Sequence, residues 1–446
     1  MSSARAFVVA DLGFGDAGKG LVTDFLVRHT GANVVVRYNG GAQAGHNVVT
    51  PDGRHHTFSQ FGSGTFVPGV RTFLSRDVIV HPTALLLEER HLRSVGVPDA
   101  FDRLRIGAGS LVITPYLQSL GRLREIARGQ RRHGSCGVGM GETVAHSIAD
   151  PAESIRMKDL IDDAGVRRKL RHIEEYVRAE VSCLDRAALE SDAARAELRI
   201  VDREDWIADW MEVARMTAAL VAEDDAWVPR ANESSTVIFE GAQGLLLDEN
   251  HGFHPHTTWS TCTTGPARSL LAEHLPDADV STIGVVRTFA VRHGPGPFPT
   301  ELSHLPSAPD EHNSFNRWQG TVRRGWFDAV LTRYAIEADG AIDALAVTHL
   351  DWVERLGRWT YCGRYDNDVS LRPVRSRTLE ERQAITERLA SANPILTDVV
   401  GSEDVVIETI ETVTGKPVAI GSRGPSARDV SYFRPACVTL TSALGG

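Results

Sequence analysis

A run of glycines set between a short apolar stretch and a helix-like segment constrains this chain more than any other feature. Gly13-Phe14-Gly15-Asp16-Ala17-Gly18-Lys19-Gly20 follows Ala6-Phe7-Val8-Val9-Ala10 and precedes Leu21-Val22-Thr23-Asp24-Phe25-Leu26-Val27. The order strand, glycine turn, helix presents backbone N–H groups and a helix N-terminus to an anion, and the Gly-x-x-x-x-Gly-Lys spacing adds a lysine that reaches phosphate. A standard phosphate loop places Ser or Thr after that lysine, whose hydroxyl holds Mg2+. Gly20 stands there instead. A metal therefore needs another ligand, and Asp16 is a carboxylate able both to bind a hard cation and to take a proton.

A second signal follows another apolar stretch, Asn33-Val34-Val35-Val36. Asn39-Gly40-Gly41-Ala42-Gln43-Ala44-Gly45-His46 places a histidine on a turn of small residues at a strand's carboxyl end, where ligands collect in open α/β sheets. Further strands are expected at Phe73–Val80, Ser235–Phe239, Thr282–Val286 and Ala344–Thr348, with a helix over 83–95. The expected class is α/β: a mostly parallel central sheet carrying a phosphate site of P-loop type, elaborated by helical insertions. Residues 151–226 read as the main insertion, because Lys169–Val177 and Trp206–Met211 carry apolar residues at helical spacing between charges that face water.

With 446 residues and 42% hydrophobic content the chain can bury a large core. No Pro/Ser-rich linker, low-complexity block or repeat divides it, so residues 1–446 are expected to form one elaborated domain. A net charge of −10 argues against a general nucleic-acid surface, so cations that meet anionic ligands must be concentrated locally. Cys136, Cys183, Cys262, Cys362 and Cys437 are odd in number and form no CxxC pair, which speaks against disulfides and structural zinc. The first residues lead straight into a strand, and no apolar run of about 18 residues follows. A cytoplasmic protein is expected, neither secreted nor inserted in a membrane.

Together the two glycine loops resemble adenylosuccinate synthetase, whose hallmarks are a Gly-Asp-Glu-Gly-Lys-Gly loop and a Gly-Gly-x-x-Ala-Gly-His turn. The likeness continues through Phe239–Asp248 with His251-Gly252, Gly294–Leu302, Arg324–Val330, Thr348–Asp351 and Gly421–Pro425. The family joins aspartate to C6 of IMP at the expense of GTP, with Mg2+, through a phosphorylated C6 oxygen. By resemblance, Asp16 is the base at N1 and a Mg2+ ligand, Gly45 lends the metal a carbonyl, and His46 is the general acid beside the transferring phosphoryl group. Gln243 holds the activated C6 oxygen. Gly15, Gly18, Lys19 and Gly20 fall on the GTP phosphates, and His349, Asp351, Ser422, Gly424 and Pro425 fall around guanine. Gln43, Ser135, Cys136 and Thr258 fall on the acceptor nucleotide, and Thr321, Arg323 and Arg324 on aspartate. Asp351 suits the N1 and amino protons of guanine, a pattern adenine lacks. The resemblance also implies a homodimer.

The chain departs from the family at several points. Ala17 replaces the loop glutamate and His349 replaces a lysine, which removes a fixed charge near the base. The family carries an arginine about a dozen residues after the loop near 135 that crosses to the partner's nucleotide phosphate; residues 142–155 contain none, and Arg156 is the nearest. Trp318–Arg324 is poorer in threonine and arginine than the family's aspartate loop. Three readings stay open at this point: the ordinary ligase, a paralogue with the same phosphoryl chemistry on a modified purine, nucleoside analogue or different amine donor, and a GTP-binding regulator without catalysis. The third has least support, since a pure binder needs none of Asp16, His46 and Gln243.

Overall fold

The computed structural model describes residues 4–228, 236–302, 318–367, 371–373 and 378–433. Ser235 and Cys437 lie outside the described residues. In chain order the strands are β1 (Arg5–Asp11), β2 (Val34–Arg37), β3 (His46–Val49), β4 (His55–Phe58), β5 (Arg71–Leu74), β6 (Leu104–Gly107), β7 (Val221–Ala222) and β8 (Thr236–Glu240). They continue as β9 (Asp279–Arg287), β10 (Phe289–Arg292), β11 (Arg323–Asp328), β12 (Ala344–Thr348), β13 (Trp359–Tyr365), β14 (Pro394–Val399), β15 (Val418–Ser422) and β16 (Val430–Tyr432).

The apolar runs of β1, β2, β8, β12 and β15 are buried along almost their whole length, as strands covered on both faces must be. They form a ten-stranded sheet in the order β16-β15-β12-β9-β1-β8-β2-β5-β6-β7. Every pairing in it is parallel except that of β15 with the edge strand β16. The period-2 alternation of β1 divides the core: Phe7 and Val9 pack with Leu21, Val22 and Phe25 on one face, while Ala6 and Val8 pack with Phe239 and Leu270 on the other. Because β1 lies between β8 and β9, which come more than 200 residues later, the loops after β1, β2, β8, β9, β12 and β15 meet at the carboxyl edge of one sheet.

Four features differ from the sequence expectations. His46 opens the antiparallel β3–β4 hairpin, which stands apart from the main sheet. The expected strand over 73–80 is regular only in β5; Ile79 and Val80 make isolated bridges beyond it. A second sheet, β10-β11-β13-β14, had no signal in hydrophobic pattern. The helical region does include Asp163–Ser182, Asp192–Asp202 and Ile207–Ala218, with Val166, Leu170, Ile173 and Val177 buried at helical spacing. It begins earlier than expected, with helices Pro115–Arg128 and Met140–Ala149, and β7 returns from it to the sheet edge.

Candidate active site

The phosphate loop runs from β1 into α1 (Lys19–Thr30). Gly15 and Gly18 have φ of 94° and 101°, and Asp16 itself is left-handed at 58°. The helix has no side-chain N-cap and no acidic residue in its first turn, so its leading N–H groups remain available to an anion. Asp11, which closes β1, accepts from Gly13 N, Ala17 N and Lys19 Nζ, each at 2.9 Å. Lys19 thus sits in a buried ion pair inside the loop. Gly20 explains the missing hydroxyl, because a Cβ there would lie 3.0 Å from both Asn47 O and His46 Cβ. The turn that delivers His46 occupies the space a Ser or Thr would need.

Asp16 Oδ2 is 2.7 Å from His293 Nε2, and Arg287 Nε donates to the Asp16 carbonyl. Burial pushes the Asp16 carboxyl up, but the His293 contact, followed by the charges of Arg287 and Lys19, outweighs it and holds the group below its usual 3.8. It is therefore an anion at neutral pH.

His46 Nδ1 lies 2.6 Å from Glu240 Oε1, both fully buried. Glu240 ends β8 and also accepts from Ser63 N at 2.9 Å and from Ser63 Oγ. Burial and then Arg37 push the imidazole down to about 4 against the opposing pull of Glu240. An ionised carboxylate can only accept, so Nδ1 carries the hydrogen and Nε2 presents a lone pair. Nε2 has no partner among the described residues, and the same holds for both side-chain amide atoms of Gln43 and of Gln243. Gln243 is held at φ 55°. The Gln243 amide packs against Gly40 and the Gln43 amide against Gly41: Cβ positions built on these glycines would fall 2.9 Å from Gln243 Oε1 and 3.2 Å from Gln43 Oε1. Asn39 ties the two loops, accepting from Ala242 N at 2.7 Å and donating to Thr261 O at 2.8 Å. Buried amides without a protein partner are left to hydrogen-bond to water or to a polar ligand.

The residues expected around guanine adjoin this centre. Thr348 Oγ1 donates to Ala17 O at 2.7 Å, and Leu350 N donates to Ser422 O at 2.9 Å, joining the β12 and β15 loops that carry His349, Asp351, Gly424 and Pro425. His349 has φ 61° and an edge-to-face contact with Phe289 at 5.4 Å. Burial and then Arg287 push its ring well below 6.5, so it is neutral. Asp351 lies 3.3 Å from Arg355, and burial raises its carboxyl against that charge.

The loop expected at the acceptor is held by its own hydrogen bonds. Glu125 receives His133 N, Gly134 N and Ser135 N at 3.0–3.3 Å, so the loop's leading amides are already satisfied, and Ser135 Oγ accepts from Gly137 N. Burial raises the Cys136 thiol. The loop packs on Pro295 and Trp318, and His256, two residues before Thr258, meets His133 O at 3.2 Å. Thr258 itself donates its N–H to Leu247 O. Arg156 is bound to Gly109 O at 2.6 Å and so is not a free substitute for the missing arginine. Thr321 is exposed. Arg323 is engaged by Glu301 at 2.7 Å and Gly296 O at 2.8 Å, and as consecutive strand residues Arg323 and Arg324 leave β11 on opposite sides.

Five charged residues here escaped sequence reading. Glu240 and Asp11 had a faint signal, a lone acid closing an apolar strand. Arg287, Arg292 and His293 had none, because only folding brings them to the loop.

A family model for adenylosuccinate synthetase matches residues 8–431. Adenylosuccinate synthetase 2 of Chromobacterium violaceum is 32% identical over 450 residues, covering 97% of this chain and 99% of that protein. The Neisseria gonorrhoeae adenylosuccinate synthetase is 31% identical over 443 residues, covering 96% and 98%. The solved structure of fully ligated adenylosuccinate synthetase from Plasmodium falciparum shares the fold with a TM-score of 0.76 at 19% identity, covering 97% of this chain and all of that one.

Proposed function

The chain belongs to the adenylosuccinate synthetase family, and on that premise we propose that it joins L-aspartate to IMP using GTP, releasing GDP and phosphate. The product is adenylosuccinate, a step of purine biosynthesis. The observation that carries this reading is the set of polar atoms without a protein partner, His46 Nε2 and the Gln43 and Gln243 amides, on the turns beside the uncapped phosphate loop and an ionised Asp16. A site built for nucleotide binding alone has no use for a base in the phosphate loop and an acid on the adjoining turn.

Asp16 takes the N1 proton of the hypoxanthine, which makes the C6 oxygen a nucleophile towards the γ-phosphoryl group. Gln243 donates to that oxygen and Gln43 orients the base. His46 meets the phosphoryl oxygens through Nε2; the charge of the incoming triphosphate favours the protonated ring that can donate to them. The α1 N-terminus, with Gly15, Gly18 and Gly20, receives the phosphates, while Lys19 adds charge from its pair with Asp11. His349, Asp351, Ser422, Gly424 and Pro425 frame guanine. Arg324 and Thr321 receive the aspartate, with Arg323 held by Glu301, and Ser135, Cys136 and Thr258 border the acceptor.

Among the described residues no cluster of three or more His, Cys, Asp or Glu could hold a metal alone. That fits Mg2+, which binds through one carboxylate and substrate phosphates. Asp16 and the Gly45 carbonyl would hold it, and when bound it neutralises phosphate charge.

The full-length relatives carry the same name, which favours the ordinary acceptor and amine over modified ones. We also read residues 1–446 as one domain, an idea supported by a single family match over 8–431. No described helix is long and apolar enough to cross a membrane. A cytoplasmic homodimer fits the free Cys136, Cys183, Cys262 and Cys362 and the exposed apolar Ile148 and Ile161.

The test is to incubate the protein with GTP, Mg2+, L-aspartate and IMP and to follow adenylosuccinate by mass. Product that requires all four components is expected. GTP hydrolysis without product would overturn the assignment.

A further inference from the structure

We propose that His293 is a positioning residue for this reaction, holding the Asp16 carboxylate in the orientation from which it takes the acceptor's proton. The inference rests on the assignment of Asp16 as base. Asp16 is constrained at both ends: its left-handed backbone has its carbonyl held by Arg287, and its Oδ2 meets His293 Nε2 at 2.7 Å.

The histidine is itself fixed. Arg292 ends β10 with its guanidinium buried, 4.0 Å over the Phe14 ring, and donates to Pro295 O at 3.2 Å and Pro297 O at 2.8 Å. Burial and then the neighbouring Arg323 push this guanidinium down to about 9. Arg323 holds the carbonyl between them, Gly296 O, at 2.8 Å. The turn after His293 is therefore pinned at three successive carbonyls. Phe14 lies two residues before Asp16, so a single buried arginine sets both partners of the Asp16–His293 contact. A base whose carboxylate is fixed before substrate arrives avoids reorganisation during proton transfer.

The experiment compares His293→Leu, which removes the donor, with His293→Gln, whose amide nitrogen reaches about as far as imidazole Nε2. For the leucine variant kcat should fall about 10- to 100-fold, the usual effect of losing a partner that orients a reacting group. KM for GTP and the calorimetric Kd for GTP should change less than about 3-fold. The glutamine variant should recover most of the rate. Positional isotope exchange in GTP, with IMP present and aspartate omitted, should slow in the leucine variant alone, placing the defect in the phosphoryl step. Equal loss in both variants, or loss in KM with kcat preserved, overturns the proposal. Should the leucine variant not fold, a glutamine variant as slow as Asp16→Asn overturns it, and one near wild type supports it. Failure of the wild type to make adenylosuccinate would instead overturn the assigned reaction.

Discussion

Replacing Glu240 by Gln removes one negative charge from a fully buried cluster while changing its volume little. Two independent routes give the size of the effect. Burial alone would raise the Glu240 carboxyl, but its pairing with His46, the charge of Arg37 and the hydrogen bonds from His46 and Ser63 hold it at about 2 instead of 4.5. At 1.36 kcal/mol per tenfold change in proton affinity, that corresponds to about 3 kcal/mol of stability at neutral pH. Removing one partner of a buried pair costs about 3–5 kcal/mol in general. The geometry shows why glutamine cannot repair the loss: with its oxygen towards His46 Nδ1, its NH2 opposes Ser63 N–H, and turned over it forces His46 into the other tautomer.

The sign with pH follows from the depressed carboxyl. Its contribution is complete above pH 4.5 and disappears as the pH falls towards 2, because the unfolded state binds the proton first. His46, pushed down to about 4, acts in the same direction between pH 6.5 and 4. Urea unfolding of wild type and Glu240→Gln without ligand should therefore differ by about 3 kcal/mol at pH 7, and the gap should narrow below pH 4.5. A gap under about 1 kcal/mol at pH 7, or one that widens on acidification, would refute the reasoning.

Asp16→Asn should lower turnover on the order of 100- to 10,000-fold, since it removes the base at constant volume; near-normal turnover would sink the assigned role. Wild type should use GTP in preference to ATP, and Asp351→Ala should narrow that preference by raising KM for GTP, because the carboxylate has two donors to accept from only in guanine. Equal use of both nucleotides by wild type would remove the argument. Gly244→Ala should lower stability by about 1–3 kcal/mol and weaken GTP binding measured by calorimetry, since its methyl would fall 2.2 Å from Gly13 O and Gly15 N, backbone atoms of the phosphate loop. A variant with native melting temperature and GTP affinity contradicts that packing.

Most of what is local in this protein was written in its sequence. The strand, glycine turn and helix at residues 5–30 follow from an apolar run, left-handed positions that suit Gly15 and Gly18, and a helix without a cap. The parallel α/β class follows from apolar runs without alternation, and the helical region from the 3.6-residue spacing of Val166, Leu170, Ile173 and Val177. What the sequence could not determine are contacts between residues hundreds of positions apart. Glu240 reaches His46 because β8 inserts beside β1 and β2, and His293 reaches Asp16 because β9 inserts on the other side of β1 and leads into β10. The commitment of Glu125 to the acceptor loop amides, and of Arg323 to Glu301, likewise changes what those residues can offer a ligand. A polar side chain's chemistry is set by its partners and by its removal from water. Both are properties of the packed sheet edge, and no local pattern encodes them.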